Sequence, residues 1–227
     1  MEPIETVLEE GRDGYASRYA SFAPYVSHLK ALPKEMWDQP WFPPLDALTL
    51  YGMLATQNPK RYLEVGSGHS TGFAVRAIED LALQTRVTCI DPKPRTAVVC
   101  DRLIGTKVQE VSLETFDALE AGDILFIDGS HRALMCSDVT WLWLRVFPRL
   151  EPGVFIQIHD VFLPDDYPSK WVFRRYSEQY LLAVALLYGD FFDVVLPNFY
   201  ASDLAEEVCA SVGQRAEGGS LWMQVRG

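Results

Sequence analysis

The chain has 227 residues, of which 48% are hydrophobic and 22% are charged. This composition excludes disordered and low-complexity proteins and predicts a globular domain with a substantial core. The 31 acidic residues outnumber the 20 basic ones and give a formal net charge of −11. A chain with this charge repels phosphate backbones, so nucleic acid is not expected as a partner.

Signals for a membrane or an export pathway are also missing from the sequence. The longest apolar run, Leu181–Leu187, is far shorter than the ~20 residues of a spanning helix. The acidic N-terminus does not have the basic and then apolar order of a signal peptide. The four cysteines, Cys89, Cys100, Cys136 and Cys209, form no close pair, so we expect plain thiols in a cytoplasmic protein.

Strand and helix patterns alternate along most of the chain. Short apolar runs predict seven strands, at 61–66, 86–91, 107–111, 123–128, 154–159, 191–196 and 220–225. Helical patterns lie between them, at 45–57, 71–83, 94–104, 132–147, 171–188 and 203–212. Such alternation predicts a three-layer α/β domain, here residues 45–227. Residues 1–44 lie outside it and are expected to form a helical cap or extension.

A glycine-rich turn follows the first predicted strand. It reads Glu64-Val-Gly66-Ser-Gly68-His-Ser70-Thr-Gly72 and opens the next helix, while Asp91 ends the second strand. Glycines allow a tight turn that a ligand can approach closely, and an acid at the second strand end can accept hydrogen bonds from a ribose. The pattern therefore predicts a nucleoside site, with an ordinary strand-to-helix turn as the alternative.

The spacing of the glycines bears on the identity of the nucleoside. A dinucleotide motif has its third glycine at the position that Thr71 occupies here. A carboxylate at Glu64 would repel a pyrophosphate but attract an ammonium group. Both features favour S-adenosylmethionine, and a nicotinamide-dependent oxidoreductase is kept as the less favoured alternative.

At this point the sequence resembles the class I S-adenosylmethionine-dependent methyltransferases. The segments that carry the resemblance are 62–71, 90–95, 122–131 and 158–168, and the likeness extends over about 40–225. Within that class they are similar to a bacterial group related to the macrocin-type O-methyltransferases. The resemblance implies a Rossmann-like three-layer sandwich, with a seven-stranded, mostly parallel sheet whose last strand is antiparallel.

The resemblance also implies a set of cofactor-binding residues. The methionine end would be lined by Glu64, Gly66, Ser67, Gly68, Ser70 and Thr71, and closed by Asp128, Gly129 and Ser130. The ribose would be held by Asp91, and the adenine would lie between Ser112 and Leu113.

Four polar residues follow the fourth and fifth predicted strands: Asp128, His131, His159 and Asp160. Because ligands bind at the carboxyl edge of such sheets, we expect these catalytic candidates to share one crevice. Three roles remain open. A histidine could be a general base, Asp128, His159 and Asp160 could hold a divalent metal, or His159 and Asp160 could merely brace the following loop.

The function predicted from these residues and the resemblance is O-methylation of a small molecule, such as a secondary metabolite or a sugar-like acceptor, with nitrogen as the less favoured acceptor atom. The alternative within the same fold is a protein that binds S-adenosylmethionine without methylating. Neither a membrane nor nucleic acid is expected as a partner, and the oligomeric state is left open, with a homodimer as one alternative.

Overall fold

A seven-stranded sheet with the strand order β3-β2-β1-β4-β5-β7-β6 forms the centre of the molecule. The computed structural model describes residues 1–227. The strands are β1 (Arg61–Val65), β2 (Arg86–Ile90), β3 (Arg102–Ile104), β4 (Ile124–Ile127), β5 (Phe155–His159), β6 (Phe192–Pro197) and β7 (Ser220–Val225). The first five are parallel, whereas β7 runs antiparallel to both β5 and β6. The predicted fold class is therefore confirmed.

Ten α-helices surround the sheet: α1 (Glu2–Glu9), α2 (Arg12–Ala20), α3 (Val26–Lys30), α4 (Lys34–Trp37), α5 (Pro44–Gln57), α6 (His69–Asp80), α7 (Glu114–Asp117), α8 (Asp138–Trp141), α9 (Glu178–Tyr188) and α10 (Glu206–Ser211). Short 3₁₀ turns lie at Ala23–Tyr25, Val108–Glu110, Phe147–Arg149, Ser169–Arg174 and Ser202–Ala205, and Leu142–Val146 is a π-helical turn. No helix is long and apolar enough to cross a membrane.

The two faces of the sheet carry separate apolar cores. One face packs Phe126 and Trp222 against α5, α6 and the N-terminal helices, and the other packs Ile127 and Ile158 under α9. Helix α5 is buried along its first ten residues after Pro44, because it lies between the sheet and the N-terminal segment. A helix in that position is apolar nearly all round, and this makes the one acid near its start, Asp46, conspicuous.

The region between β2 and β4 differs from the prediction. Residues 94–104 form no helix, and the third strand is Arg102–Ile104, with only a 3₁₀ turn inside the predicted strand 107–111. The backbone N–H of Val87 donates to Asp101 Oδ2 at 2.7 Å, and Asp101 N donates to the Val87 carbonyl at 3.0 Å. These bonds tie the chain to β2 just before β3, so the edge strand starts there.

Three other predicted helices are shorter than their patterns suggested. Residues 131–137 are a loop, and α8 begins only after Ser137, whose hydroxyl accepts the N–H of Thr140 at 3.2 Å. The predicted helix 171–188 is interrupted at Arg175, whose φ of 55° ends the preceding 3₁₀ turn. The predicted helix 203–212 is likewise divided into the 3₁₀ turn Ser202–Ala205 and α10.

Candidate active site

A cleft of about 1100 Å³ opens along the carboxyl ends of β1, β2, β4 and β5. The residues that follow these strands line it, as expected for an open α/β sheet. The N-terminal segment around Trp41 and the loop that ends in the 3₁₀ turn Ser169–Arg174 contribute to its walls. The volume suits a cofactor together with a small second ligand.

The glycine turn after β1 lies against the turn after β4. Gly66 has a φ of 91°, and a Cβ at this position would lie 2.2 Å from the Asp128 carbonyl oxygen. Only glycine combines that backbone conformation with so close an approach. Gly66, Ser67 and Asp128 consequently meet on one wall of the cleft.

Asp91 lines the cleft at the end of β2, as predicted for the ribose-binding acid. The Ser67 hydroxyl donates to Asp91 Oδ2 at 2.7 Å, and the Lys93 N–H donates to Oδ1 at 2.8 Å. The carboxylate is thereby fixed in orientation, and each oxygen keeps a second lone pair for a ligand hydroxyl.

Glu64 is not among the residues that line the cleft, and its contact with the methionine end stays a prediction. Its side chain is fully buried, and its carboxylate accepts hydrogen bonds from the hydroxyls of Ser70 and of Thr71, the latter at 2.7 Å. Burial raises the pKa of Glu64 to about 8, although both hydroxyls oppose that shift. Ser70 and Thr71 are therefore also turned inward and hold the start of α6.

The remaining cofactor candidates divide into two groups. Gly129 and Ser130 line the cleft, and Asp138 anchors their turn by accepting the N–H of Ser130 at 2.6 Å. Gly68, Ser112 and Leu113 are not among the lining residues, and the wall beyond Asp91 is formed by Lys107, Val108 and Gln109. The placement of an adenine between Ser112 and Leu113 stays a prediction.

The four catalytic candidates converge: Asp128, His159 and Asp160 line the cleft, and the buried His131 lies beside them. His131 Nε2 lies 3.1 Å from Asp128 Oδ1 and 3.7 Å from Asp160 Oδ2. His159 Nδ1 lies 3.7 Å from Asp128 Oδ1 and 3.6 Å from Asp160 Oδ1. Two imidazoles therefore face the same pair of carboxylates. Both histidines are buried, whereas 42% of the Asp128 side chain is open to the cleft.

A buried carboxylate lies behind each histidine, which the sequence analysis did not predict. Glu178 Oε2 lies 3.0 Å from His131 Nδ1, and Asp46 Oδ2 lies 3.4 Å from His159 Nε2. Both acids are fully buried. The sequence does contain one indication of these pairs. Each acid stands in an otherwise strongly apolar helix, where an acid is rare unless it is paired.

Asp46 is held by a buried network that joins α5 to β7 and the loop after β6. Its Oδ1 accepts Asn198 Nδ2 at 2.8 Å and Ser220 Oγ at 2.7 Å, and its Oδ2 accepts the Gly219 N–H at 2.8 Å. These donors fix the carboxylate beside His159. Neither ring nitrogen of His159 makes a hydrogen bond of ordinary geometry within the chain. Its Nδ1, on the side of Asp128 and Asp160, can therefore still bind a ligand.

The carboxylates control the charge of the two histidines. Burial works to lower the pKa of His131, but Asp128 and Glu178 outweigh it and raise that pKa to about 10. Burial likewise opposes the charged form of His159, whose pKa Asp128 and Asp46 hold well above its ordinary value. For Asp128, enclosure favours the neutral form, and the two imidazoles reverse that preference and lower its pKa.

The backbone at this site is held in an uncommon conformation. His131 and Asp160 have φ values of 54° and 55°, in the left-handed region that non-glycine residues rarely occupy. The His131 carbonyl accepts the N–H groups of Ser177 and Glu178 at 2.7 and 3.1 Å, so the start of α9 fixes the loop after β4. Strain of this kind concentrates at functional sites.

One ligand atom each from Asp128, His131 and Asp160 lie within 4.8 Å of one another, close enough to share a metal ion. This set contains His131 where the sequence prediction had His159. Four carboxylates surround the two histidines, and Arg174 lies 4.0 Å from one of them. A metal-binding His131 must be neutral, and the cluster then has a net charge of −2, which a divalent cation would balance. A carboxylate behind the distal nitrogen is also the usual orienting partner of a metal-binding histidine.

Comparisons with known proteins agree with this architecture. Residues 63–161 match the family model described as a methyltransferase domain. The methyltransferase PaMTH1 of Podospora anserina, solved with bound S-adenosylhomocysteine (SAH), is 16% identical, with 94% of this chain and 87% of that chain covered and a TM-score of 0.51. An O-methyltransferase from Bacillus cereus in complex with SAH is 15% identical, with 93% and 91% covered and a TM-score of 0.48. No curated protein matches the sequence.

The matched segment runs from β1 to the loop after β5, and it contains the parallel strands whose carboxyl ends form the cleft. Residues 63–161 are therefore similar to a methyltransferase domain, and the chain shares the fold of the Podospora anserina protein.

Proposed function

We propose that the protein transfers a methyl group from S-adenosylmethionine to a hydroxyl oxygen of a small molecule. The observation that carries the proposal is the cluster of Asp128, Asp160 and the two histidines, which lies on the same cleft as Asp91 and the Gly66 turn. A nucleoside that extends from Asp91 to Gly66 would present its methionine end beside Asp128. The acceptor would enter over Asp160.

The residues present fit that cofactor. Asp91 is oriented to accept the ribose hydroxyls, and the Gly66 turn leaves the backbone open to close approach. Lys107, Val108 and Gln109 form the wall on which the adenine would lie. Glu64 is buried, so the ammonium group must be met by the backbone of the glycine turn or by Asp128. Relatives with SAH bound, such as PaMTH1, are consistent with this assignment.

The acceptor hydroxyl must lose its proton during transfer, and the cluster offers two routes. A histidine could accept the proton, but the surrounding carboxylates raise the pKa of both rings and so weaken them as acceptors of a proton from the substrate. We therefore favour a divalent cation, which would displace the proton of His131 Nε2 and be held by that nitrogen, Asp128 and Asp160, with His159 beside them. When bound, S-adenosylmethionine supplies the methyl group and the cation lowers the pKa of the acceptor hydroxyl. The protein contributes alignment, which is worth several kcal/mol in such displacements.

Two measurements test this proposal. Calorimetric titration should show binding of S-adenosylmethionine and SAH but no binding of a nicotinamide dinucleotide. Formation of SAH should then be followed with a panel of phenolic and sugar-like acceptors, in the presence of Mg²⁺ or Mn²⁺ and of a chelator. Tight nicotinamide binding would overturn the cofactor assignment, and turnover that the chelator does not affect would overturn the metal.

A further inference from the structure

We propose that the acceptor carries an oxyanion, either a carboxylate or a phosphate, and that Arg174 and Arg132 bind it on the cleft wall beside Asp160. This inference rests on the proposed methyl transfer only in naming the bound molecule as the acceptor. Both arginines line the cleft, and they belong to two segments that the sequence leaves far apart.

The guanidinium of Arg174 is held in place before any ligand arrives. It lies 3.8 Å from the ring centroid of Trp171 and 5.5 Å from that of Tyr176. Its Nη1 donates to the Tyr176 hydroxyl at 3.4 Å. An aromatic platform of this kind lowers the entropy that a flexible arginine loses when it binds a ligand.

The charge of Arg174 is only weakly compensated within the chain. Its one carboxylate neighbour is Asp160, with Nη1 and Oδ2 4.0 Å apart. Asp160 also lies near both histidines, so its charge is shared. By contrast, Arg149 and Arg226 are paired with acids at ordinary ion-pair distances on the outer surface. A half-buried arginine with only this distant partner is therefore available to an incoming anion.

Arg132, a second arginine that lines the cleft, is bonded to the main chain of Arg174. Arg132 Nε donates to the Arg174 carbonyl at 2.8 Å, and no carboxylate lies within 4 Å of the Arg132 side chain. Lys170 lines the cleft as well. Six lysines and arginines line the cleft against five aspartates and glutamates, which contrasts with the overall charge of −11. Guanidinium pairs bind carboxylate and phosphate oxygens in a forked geometry, which fixes orientation as well as charge.

This arrangement also explains how an anionic acceptor could approach a cleft that contains several carboxylates. The two arginines and the carboxylates are different residues of the cleft lining, so the oxyanion and the hydroxyl of one molecule would meet different groups. A neutral acceptor would leave the arginines without a partner. We therefore infer a hydroxylated carboxylate or phosphate as the substrate class.

The test measures whether the cleft prefers an anion to its neutral analogue. Para-hydroxybenzoate and its methyl ester form one pair of probes, and phenyl phosphate and phenol form the second, each titrated by calorimetry or ligand-detected NMR with and without SAH. We expect at least one anion to bind about tenfold or more tightly than its neutral partner, as a charge-assisted contact predicts. The relative affinities of carboxylate and phosphate then distinguish the two oxyanions.

Arg174→Gln and Arg132→Gln should each reduce that preference, and Arg174→Lys should retain part of it because the charge remains without the fork. Arg175→Gln is the matched control, since Arg175 is exposed and is not part of the cleft wall. Circular dichroism establishes that each variant is folded. Equal affinity for anions and neutral probes, binding of none of the four, or a preference unchanged in both Gln variants would overturn the inference. If the parent protein prefers the anions but does not bind SAH, that result would instead count against the proposed methyl transfer.

Discussion

The carboxylate of Glu178 lies 3.0 Å from His131 Nδ1 and leaves Nε2 of the same ring facing Asp128 at 3.1 Å. The ring is thus fixed between an acid in the interior and an acid that is open to the cleft. A histidine held from behind in this way keeps one nitrogen and one orientation for the chemistry in front of it.

Glu178→Gln should lower the pKa of His131 from about 10 toward its ordinary value of 6.5, since one of the carboxylates that raise it is lost. An NMR titration of the ring measures this directly. Because the folded pKa is raised, the stabilisation that this group gives is complete below about pH 6.5 and is lost as the pH rises through about 10. The variant should move that loss to lower pH. Glu114→Gln, on the exposed surface, should leave both curves unchanged.

Glu64→Gln should change stability as a function of pH while altering cofactor affinity little. The folded pKa of about 8 lies above the ordinary 4.5, so the free energy of unfolding should fall as the pH rises from about 4.5 through 8. Urea denaturation at several pH values should show that fall in the parent protein and a flatter profile in the variant. A large loss of SAH affinity would mean that the carboxylate does act on the ligand.

Asp91→Ala should weaken S-adenosylmethionine binding by about 1.5–3 kcal/mol, which is typical of hydrogen bonds to a charged acceptor. Ser67→Ala removes only the hydroxyl that orients this carboxylate and should cost less, about 0.5–1.5 kcal/mol. Calorimetry gives both values. An affinity that survives the loss of Asp91 would contradict its assignment to the ribose.

Asp160→Asn and His131→Ala should each lower the affinity for Mn²⁺ by about tenfold or more, because each removes a ligand from the cluster. Excess ion should partly restore the activity of these variants. Asp165→Asn is the control, since Asp165 is exposed in the neighbouring loop. Metal binding that is identical in all three variants would place the ion elsewhere.

Asp46→Ala should reduce the free energy of unfolding by about 2–5 kcal/mol, because three buried donors lose their acceptor and His159 loses its inner carboxylate. Asp38→Ala, on the exposed end of α4, should change it by less than about 0.5 kcal/mol. Urea denaturation of the two variants compares them. Equal stability would show that the network contributes little.

The sequence was sufficient for the features that depend on local pattern. The apolar runs located the strands that became β1, β2, β4, β5, β6 and β7, and the polar residues after β4 and β5 met as expected. It failed where a contact distant in the chain decides the local structure. Residues 94–104 have a helical pattern, yet the pairing of Asp101 with Val87 makes the end of that segment an edge strand.

The two buried acids of the site, Asp46 and Glu178, could not be predicted for the same reason. Asp46 precedes His159 by more than one hundred residues, and Glu178 follows His131 by 47. No spacing rule links such pairs. Glu64 shows a different limit, since its position in a ligand motif predicts a ligand contact but does not give the direction of its side chain. Its orientation was decided by the hydroxyls of Ser70 and Thr71 within the following helix.

The contact between the Gly66 turn and the Asp128 carbonyl has a consequence for engineering this domain. A side chain at position 66 would collide with that oxygen, so the two loops cannot be separated or exchanged independently. A loop grafted after β4 to accept a new substrate would have to preserve the backbone path through residue 128. The loop that follows β5 has no such constraint from Gly66, and residues 161–176 are accordingly the better place in which to vary the cleft while the Gly66 turn stays intact.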